Sequence, residues 1–237
     1  MRRLISLLLW LLTATVALAA DPQQPGNFVA HYTMYKGNMI LGDVRRSLSA
    51  ANDGKFLFES AMHSTGLVAV FVKDQVNERS LWTYQNNKIK PVQYSYDKTG
   101  GRKERHVNLV FDWKKGIAKN TAPGADDEIP IEPGTYDQLV YQLALMYDLQ
   151  QGKTELTYPM VDTHKFKTYQ FRIAGEETLE TPLGALKTVK VERVPQADGK
   201  KTILWCASSL KYLPVRIEEA QKDGDQFSIL IRSVEGL

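Results

Sequence analysis

The sequence predicts a mainly β (α+β) protein: a strongly curved antiparallel sheet, or an incomplete barrel, with one apolar helix packed on its concave face. Three observations predict this fold class. Apolar and polar residues alternate with period two over most of the chain, short turns rich in Gly, Asn and Asp separate the alternating stretches, and one stretch near the middle has helical periodicity. Half-buried antiparallel strands joined by tight turns have this pattern.

The first half of the chain contains eight alternating stretches that predict strands. They are residues 28–36, 39–50, 55–64, 67–72, 75–84, 88–97, 103–113 and 116–120. The turns between them, such as KGN at 36–38, NDG at 52–54 and QNN at 85–87, hold residues that tolerate turn geometry. Strands that follow each other this closely are expected to pair as a meander.

A loop and a helix interrupt the strand pattern in the middle of the chain. Residues 122–134, with three prolines and four acidic residues, predict a loop that links two parts of the fold. Residues 135–152 (TYDQLVYQLALMYDLQQG) predict the helix, because Thr135 and Gln138 have capping-box spacing and Gly152 suits the C-terminal stop. Its apolar residues cover more than one face, so we expect protein on more than one side of it.

Strand patterns then resume to the end of the chain. The predicted strands are residues 155–161, 165–173, 186–194, 201–207, 213–220 and 226–234. We find neither internal repeats nor a linker between autonomous units. Residues 20–237 are therefore expected to form a single β-rich domain.

The first 21 residues, MRRLISLLLWLLTATVALAAD, predict a cleaved signal peptide spanning residues 1–19. Arg2 and Arg3 precede an apolar run at 4–12, and the small-residue stretch 17–19 fits an A-x-A cleavage site. The apolar run is too short to span a bilayer, although a retained anchor is the alternative interpretation. We expect Sec-type export to the periplasm and no transmembrane segment after cleavage.

The charge balance argues against a nucleic-acid binder, and the cysteine content argues against a fold held by intramolecular disulfides. Removing Arg2 and Arg3 from the 30 basic residues leaves 28 against 27 acidic ones, so the exported chain lacks the basic excess of a nucleic-acid binder. The single cysteine, Cys206, cannot form an intramolecular disulfide. It lies beside Trp205 in an apolar strand, so a packing role is expected rather than a reactive thiol.

Catalytic and metal-binding motifs are absent from the sequence. It contains no G-x-S-x-G elbow, no P-loop and no G-x-G-x-x-G, and its histidines lack paired metal-ligand spacing. The histidines are His31, His63, His106 and His164. We therefore expect no catalytic residues, no metal and no cofactor, and the interpretation leans against an enzyme.

Several stretches resemble an exported bacterial family, the domain of unknown function 3108. They are NFVAHYTMYKGNMILGD, KPVQYSYDKTGGRKERHVNLVFDWKKGIA, PGTYDQLVYQLAL, LKTVKVERV and KTILWCASSLKYLPVRIE. Where the family pattern has an aspartate after the Leu-Trp strand, this chain has Ser208 and Ser209, and Cys206 is not part of the pattern. The resemblance implies an exported β-rich domain and brings no activity or catalytic residues with it.

The function predicted first is a non-enzymatic periplasmic protein that binds an apolar ligand or lipid of the cell envelope. An apolar helix, many aromatic residues and the lack of catalytic motifs motivate it. The residues expected to line the ligand-binding face are Tyr136, Val140, Leu143, Tyr147, Trp82, Tyr169 and Trp205.

The alternative is a structural or adaptor protein that binds a protein or polysaccharide partner of the envelope. The predicted hairpin DKTGGRKERH at 97–106 carries a candidate patch for an anionic partner, formed by Lys98, Arg102, Lys103 and Arg105. A third hypothesis, an enzyme acting on envelope glycans, rests only on the compartment and on scattered carboxylates such as Asp97, Glu104, Asp112 and Asp137.

Overall fold

A computed structural model of the chain describes residues 26–65, 74–85, 88–101, 103–222 and 224–237. These residues form one 14-stranded antiparallel sheet and one α-helix. The first arm of the sheet contains β1 (Phe28–Lys36), β2 (Met39–Ala50), β3 (Lys55–Ser64), β4 (Gln75–Gln85), β5 (Lys88–Thr99), β6 (Arg105–Asp112), β7 (Ile117–Asn120) and β8 (Glu128–Pro130). After the helix α1 (Tyr141–Gln150), the second arm contains β9 (Leu156–Asp162), β10 (Lys165–Thr181), β11 (Gly184–Arg193), β12 (Lys201–Ala207), β13 (Leu213–Ala220) and β14 (Gln226–Glu235).

Each arm is a meander, and the two arms meet where β1 pairs with β14. The strand order is β8-β7-β6-β5-β4-β3-β2-β1-β14-β13-β12-β11-β10-β9, so the two terminal strands of the chain lie at the centre of the sheet. The predicted meander is confirmed within each arm. The pairing of β1 with β14 adds a long-range contact that local turns do not specify.

The two outer strands, β8 and β9, approach each other and nearly close a barrel. After β8 the chain forms a parallel bridge to β9: the Tyr136 N–H donates to the Pro159 carbonyl at 2.8 Å, and the Val161 N–H donates to the Tyr136 carbonyl at 3.0 Å. His164 Nδ1 also lies 2.8 Å from the Asp127 carboxylate. The predicted fold class, a strongly curved sheet or incomplete barrel around one helix, is confirmed.

Most predicted strands are present, with two informative differences. The strand predicted to end at residue 173 continues to Thr181, because Gly175, at φ +139°, forms a bulge that shifts the register without ending the pairing with β11. The predicted loop at 122–134 contains the edge strand β8, where a proline is tolerated. The predicted signal peptide, the predicted strand at 67–72 and residues 86–87 of a predicted turn lie outside the described residues.

The helix is confirmed, but it begins later than the capping-box spacing predicts. Tyr136 is held in the bridge to β9, so the chain at that point is extended and not helical. Asp137 instead stabilises the turn that leads into the helix, since its Oδ1 accepts the N–H groups of Leu139 and Val140 at 2.9 and 2.8 Å. Gly152, at φ +70°, follows the helix as expected of a residue at the C-terminal stop.

Protein surrounds α1 on several sides. Seven of its ten residues are buried, and they include Leu143, Leu145 and Met146 on different faces. An aromatic cluster fixes it against the second arm, with ring centroids 5.8 to 6.1 Å apart. The cluster comprises Tyr136, Tyr141, Tyr158 and Phe171. Within the described ranges, no helix has the length and hydrophobicity needed to cross a membrane.

A glycine in β2 permits close contact with β3. A Cβ atom on Gly42 would lie 2.1 Å from the carbonyl oxygen of His63, a backbone atom that cannot rotate away. We expect Gly42→Ala to lower the free energy of unfolding by about 1–3 kcal/mol. Gly37→Ala is the control: it has open space but φ +56°, and its strain is expected to cost about 1 kcal/mol. Equal losses in urea unfolding would contradict the steric explanation.

Candidate functional site

The helix leaves part of the barrel interior unfilled, and two adjoining cavities occupy that space. The apolar cavity is lined by residues next to the hairpins that join β1 to β2 and β13 to β14, and the polar cavity by residues next to the connections that join β11 to β12 and β13 to β14. Strand alternation aims every second side chain of these strands into the interior. The cavity walls are therefore built from the inward-facing positions of both arms.

The larger of the two, the apolar cavity, has a volume of about 610 Å³. Its apolar lining comes from β1 to β4, β13 and β14, and comprises Met34, Met39, Leu41, Val44, Met62, Val76, Ile217, Phe227 and Ile229. Met39, in the first hairpin, is 54% exposed. The apolar cavity thus combines hydrophobic walls with exposed apolar surface at its hairpin end.

The smaller, the polar cavity, has a volume of about 340 Å³ and is lined mainly by charged and hydroxyl-bearing residues. Its basic residues are Arg46, Arg105, Arg193, Lys200 and Lys201, and its acidic residues are Glu78 and Glu219. Four tyrosines, Tyr94, Tyr96, Tyr141 and Tyr169, complete much of its wall. Five basic groups against two acidic ones make the polar cavity electropositive.

The two cavities share three residues, Arg46, Glu78 and Glu219. Arg46 Nη1 donates to Gln142 Oε1 of α1 at 2.6 Å, and its guanidinium lies 5.6 Å from the centre of the Tyr32 ring. The buried Arg46 Nε–H has no hydrogen-bond partner among the described residues. An arginine at the boundary of both spaces therefore keeps an unused donor.

Glu78 is an acidic residue at this boundary, and its carboxyl is buried. Burial raises the pKa of the Glu78 carboxyl above its usual range, although the hydrogen bond from the Tyr94 hydroxyl at 2.8 Å and the charge of Arg46 oppose the shift. With a raised pKa, Glu78 gains its negative charge at a higher pH than an exposed glutamate does.

Arg193 is a buried arginine in the polar cavity. It is 6% exposed, its Nη2 donates to Asp198 at 2.5 Å, and its guanidinium lies 4.6 Å from the centre of the Tyr169 ring. As with Arg46, its Nε–H is buried without a hydrogen-bond partner in the described part of the chain. Buried donors without partners are uncommon in folded proteins, and a bound ligand is one way to satisfy them.

The predicted ligand-binding residues divide between this site and the core. Tyr169 lines the polar cavity. Val140 and Leu143 are buried, Tyr136 and Tyr147 are partly buried against the same core, and Trp82 is fully buried with its ring stacked 4.8 Å from Phe56. A ligand-binding role for these residues stays a prediction.

Trp205 lies on the opposite side of the sheet from the one expected. It pairs across the sheet with Lys190 and Arg216, whose charged groups lie 5.4 and 5.0 Å from its ring centre, and its Nε1–H donates to Glu177. Strand alternation separates it from Leu204, which faces inward. This placement corrects the prediction that Trp205 lines the concave face of the sheet. Charged residues on the outer face, rather than a cavity wall, cover its indole.

Two members of the predicted patch for an anionic partner, Lys98 and Arg105, lie opposite each other on β5 and β6, and the patch itself stays a prediction. Lys98 pairs with Asp74 at 2.7 Å and lines the apolar cavity, whereas Lys103 is exposed. Arg105 is exposed, donates to Thr163 and also lines the polar cavity. Arg102 lies outside the described residues.

Cys206 is confirmed as a packing residue. Its side chain is fully buried, and burial raises the pKa of the thiol far above its usual range, so the nucleophilic thiolate is scarce at neutral pH. In the described ranges, no group of three His, Cys, Asp or Glu side chains is placed to hold a metal ion.

Sequence reasoning missed both arginines at the interior, although a signal for them exists. In the alternating pattern of β2, Arg46 falls on the same face as Val44 and Leu48. In β11, Arg193 falls on the same face as Val191. A charged residue in the apolar phase of a strand must be buried or must face a cavity. A charged residue on the apolar face of a strand is therefore a more specific marker of the site than aromatic content.

Comparison with known proteins places the chain in a family and defines its fold. No curated protein sequence matches it. A β-barrel-like protein of the domain of unknown function DUF1849 from Brucella abortus, solved by crystallography, is similar in fold, with a TM-score of 0.60 and 7% sequence identity over 90% of this chain and 98% of the other. The family model "Protein of unknown function (DUF3108)" matches residues 28–231. The chain therefore belongs to the DUF3108 family.

Proposed function

We propose that the protein is a non-enzymatic protein of the bacterial periplasm that binds an apolar ligand, such as an acyl chain, in its apolar cavity. The apolar cavity is the observation that carries the proposal. The periplasmic location rests on the sequence of residues 1–19 alone.

The size and lining of the apolar cavity suit a flexible apolar molecule. Its volume of about 610 Å³ lies within the range of roughly 300–1,000 Å³ typical of small-molecule pockets. Met34 in β1 and Met62 in β3 both line the apolar cavity, and methionine side chains adapt to ligands of varied shape. Apolar walls release bound water when such a ligand enters, which supplies the driving force.

The cavity also favours ligand binding over the adaptor alternative. An adaptor needs a partner surface and gains nothing from an unfilled interior, whose walls lose packing contacts. In this chain, apolar side chains from both arms of the sheet line the apolar cavity.

A charged side chain in the apolar cavity is expected to abolish most of the binding. Met62→Glu places a carboxylate among apolar walls, and we expect the affinity for N-phenylnaphthylamine, an uncharged fluorescent probe, to fall about tenfold or more. Leu183→Glu, at an exposed residue outside the cavity, is the matched control and should bind like the unmodified protein. Equal affinity in the two variants would reject the apolar cavity as the binding site.

Native mass spectrometry of the protein purified from its own periplasm identifies the ligand class. A retained apolar mass, recovered by organic extraction, would support the proposal. An apo mass together with no probe binding would favour the adaptor function, and crosslinking would then identify a partner.

A further inference from the structure

The polar cavity is lined by more positively charged side chains than negatively charged ones. Arg46, Arg105, Lys200 and Lys201 line it without a carboxylate partner within ion-pair distance in the described chain, whereas Arg193 pairs with Asp198. The two carboxylates in the lining, Glu78 and Glu219, are outnumbered, and the pKa of Glu78 is raised by burial. Arg105, Lys200 and Lys201 are exposed and Arg46 is half-buried, and this group of positive charges favours an anion.

Two of the basic groups have donors that remain available. Arg46 and Arg193 each keep a buried Nε–H without a partner among the described residues, and Arg193 is more than nine-tenths buried. Guanidinium groups recognise carboxylate and phosphate through such N–H groups. A bound acidic group would satisfy donors that the folded chain leaves unpaired.

The polar and apolar cavities meet at Arg46, so one molecule can occupy both. Arg46, Glu78 and Glu219 belong to both linings, so the two cavities adjoin at these three side chains. A ligand with an apolar tail and a small charged head fits this arrangement. Its tail would lie beside Met34 and Met62, and its head beside Arg46.

Building on the apolar-ligand function above, we propose that the ligand is an anionic amphiphile. Its tail lies in the apolar cavity and its phosphate or carboxylate head lies in the polar cavity against Arg46 and Arg193. Lys200 and Lys201, from the connection between β11 and β12 and the start of β12, add positive charge around the head. A free anion lacks the tail contacts, and an uncharged lipid leaves the arginine donors unused.

Displacement of N-phenylnaphthylamine by amphiphiles with the same tail tests this proposal. Dodecyl phosphate is expected to displace the probe at a concentration about tenfold or more below that of dodecanol, because it gains charge-assisted hydrogen bonds. Dodecyltrimethylammonium should be the weakest of the three, and inorganic phosphate alone should not displace the probe.

Substitution of Arg46 assigns the preference to a residue. Arg46→Gln should lower the ratio of the affinity for dodecyl phosphate to that for dodecanol about tenfold or more, and Arg46→Lys should retain part of the preference. Arg45→Gln is the matched control, since Arg45 is exposed on the opposite face of β2. Lys201→Gln, at an exposed residue of the polar cavity, provides a second variant with a smaller loss if Arg46→Gln does not fold.

The outcomes separate this proposal from the function on which it rests. Equal displacement by the three amphiphiles would overturn the anionic head and leave apolar binding intact. Displacement by inorganic phosphate as strong as that by dodecyl phosphate would overturn the amphiphile in favour of a free anion. Absence of probe binding to the unmodified protein would overturn both.

Discussion

Replacing Leu145 with alanine is expected to lower the free energy of unfolding by about 2–5 kcal/mol. Leu145 lies in the middle of α1 and is fully buried, so truncation removes apolar contacts on a helix that is enclosed on several sides. The surrounding sheet cannot collapse easily around the void, because its strands are held by ladders on both sides. Urea unfolding followed by circular dichroism measures the loss.

Met39→Ala is the matched control for this truncation. Met39 is a large apolar residue of which 54% is exposed, and the same substitution there should change stability by less than about 0.5 kcal/mol. A loss at Leu145 as small as that at Met39 would mean that α1 is loosely packed and available as a ligand surface.

The Asp137→Asn variant is expected to change the pH dependence of stability. Asp137 is fully buried and accepts hydrogen bonds from the Ser80 hydroxyl at 2.5 Å and from two backbone N–H groups. Burial raises the pKa of its carboxyl to about 6, although these hydrogen bonds oppose the shift and nearby Glu78 adds to it. The folded chain therefore holds a proton that the unfolded chain releases near pH 4.

The thermodynamic linkage between protonation and folding fixes the direction in which stability changes with pH. The stabilisation from the raised pKa is fully present below about pH 4 and is lost as the pH rises through about 6. An asparagine amide oxygen still accepts the two backbone N–H groups but does not titrate. Between pH 4 and pH 7 the unmodified protein should lose about 3 kcal/mol of stability relative to Asp137→Asn.

Denaturant unfolding of both proteins across this pH range measures the difference. Glu78 titrates in both proteins, so its own contribution largely cancels in the comparison. Parallel stability curves from pH 4 to pH 7 would contradict a raised pKa at Asp137. Ser80→Ala is a useful companion, since it removes a hydrogen bond that favours the charged carboxylate and should raise the pKa further.

Strand positions were predictable because their signals are local. The bounds of β1, β2, β3, β12 and β13 coincide with the alternating stretches of the sequence, since turn residues such as Gly37 and Gly54 end each strand within the chain itself. The start of α1 was not predictable from capping spacing. A tertiary contact, the bridge from Tyr136 to β9, prevents the helix from beginning there.

The candidate site was less predictable because it depends on long-range packing. Aromatic residues such as Trp82 are good candidates for a cavity wall by composition, yet helix α1 covers much of the interior that they face. The unfilled space lies beside the helix, between β1 to β4 and β13 to β14. Only the meeting of the two arms brings these strands together, and no local pattern encodes it.

The central position of β1 and β14 has a consequence for the order in which the fold is assembled. A chain that is synthesised or exported from its N-terminus delivers β14 last, yet β14 pairs with β1, for instance at His31 and Ser233. Local meander contacts allow each arm to form early, whereas joining the arms closes a loop of nearly the whole chain. We therefore expect the seam through the middle of the sheet, and with it the interior cavities, to be completed late in folding.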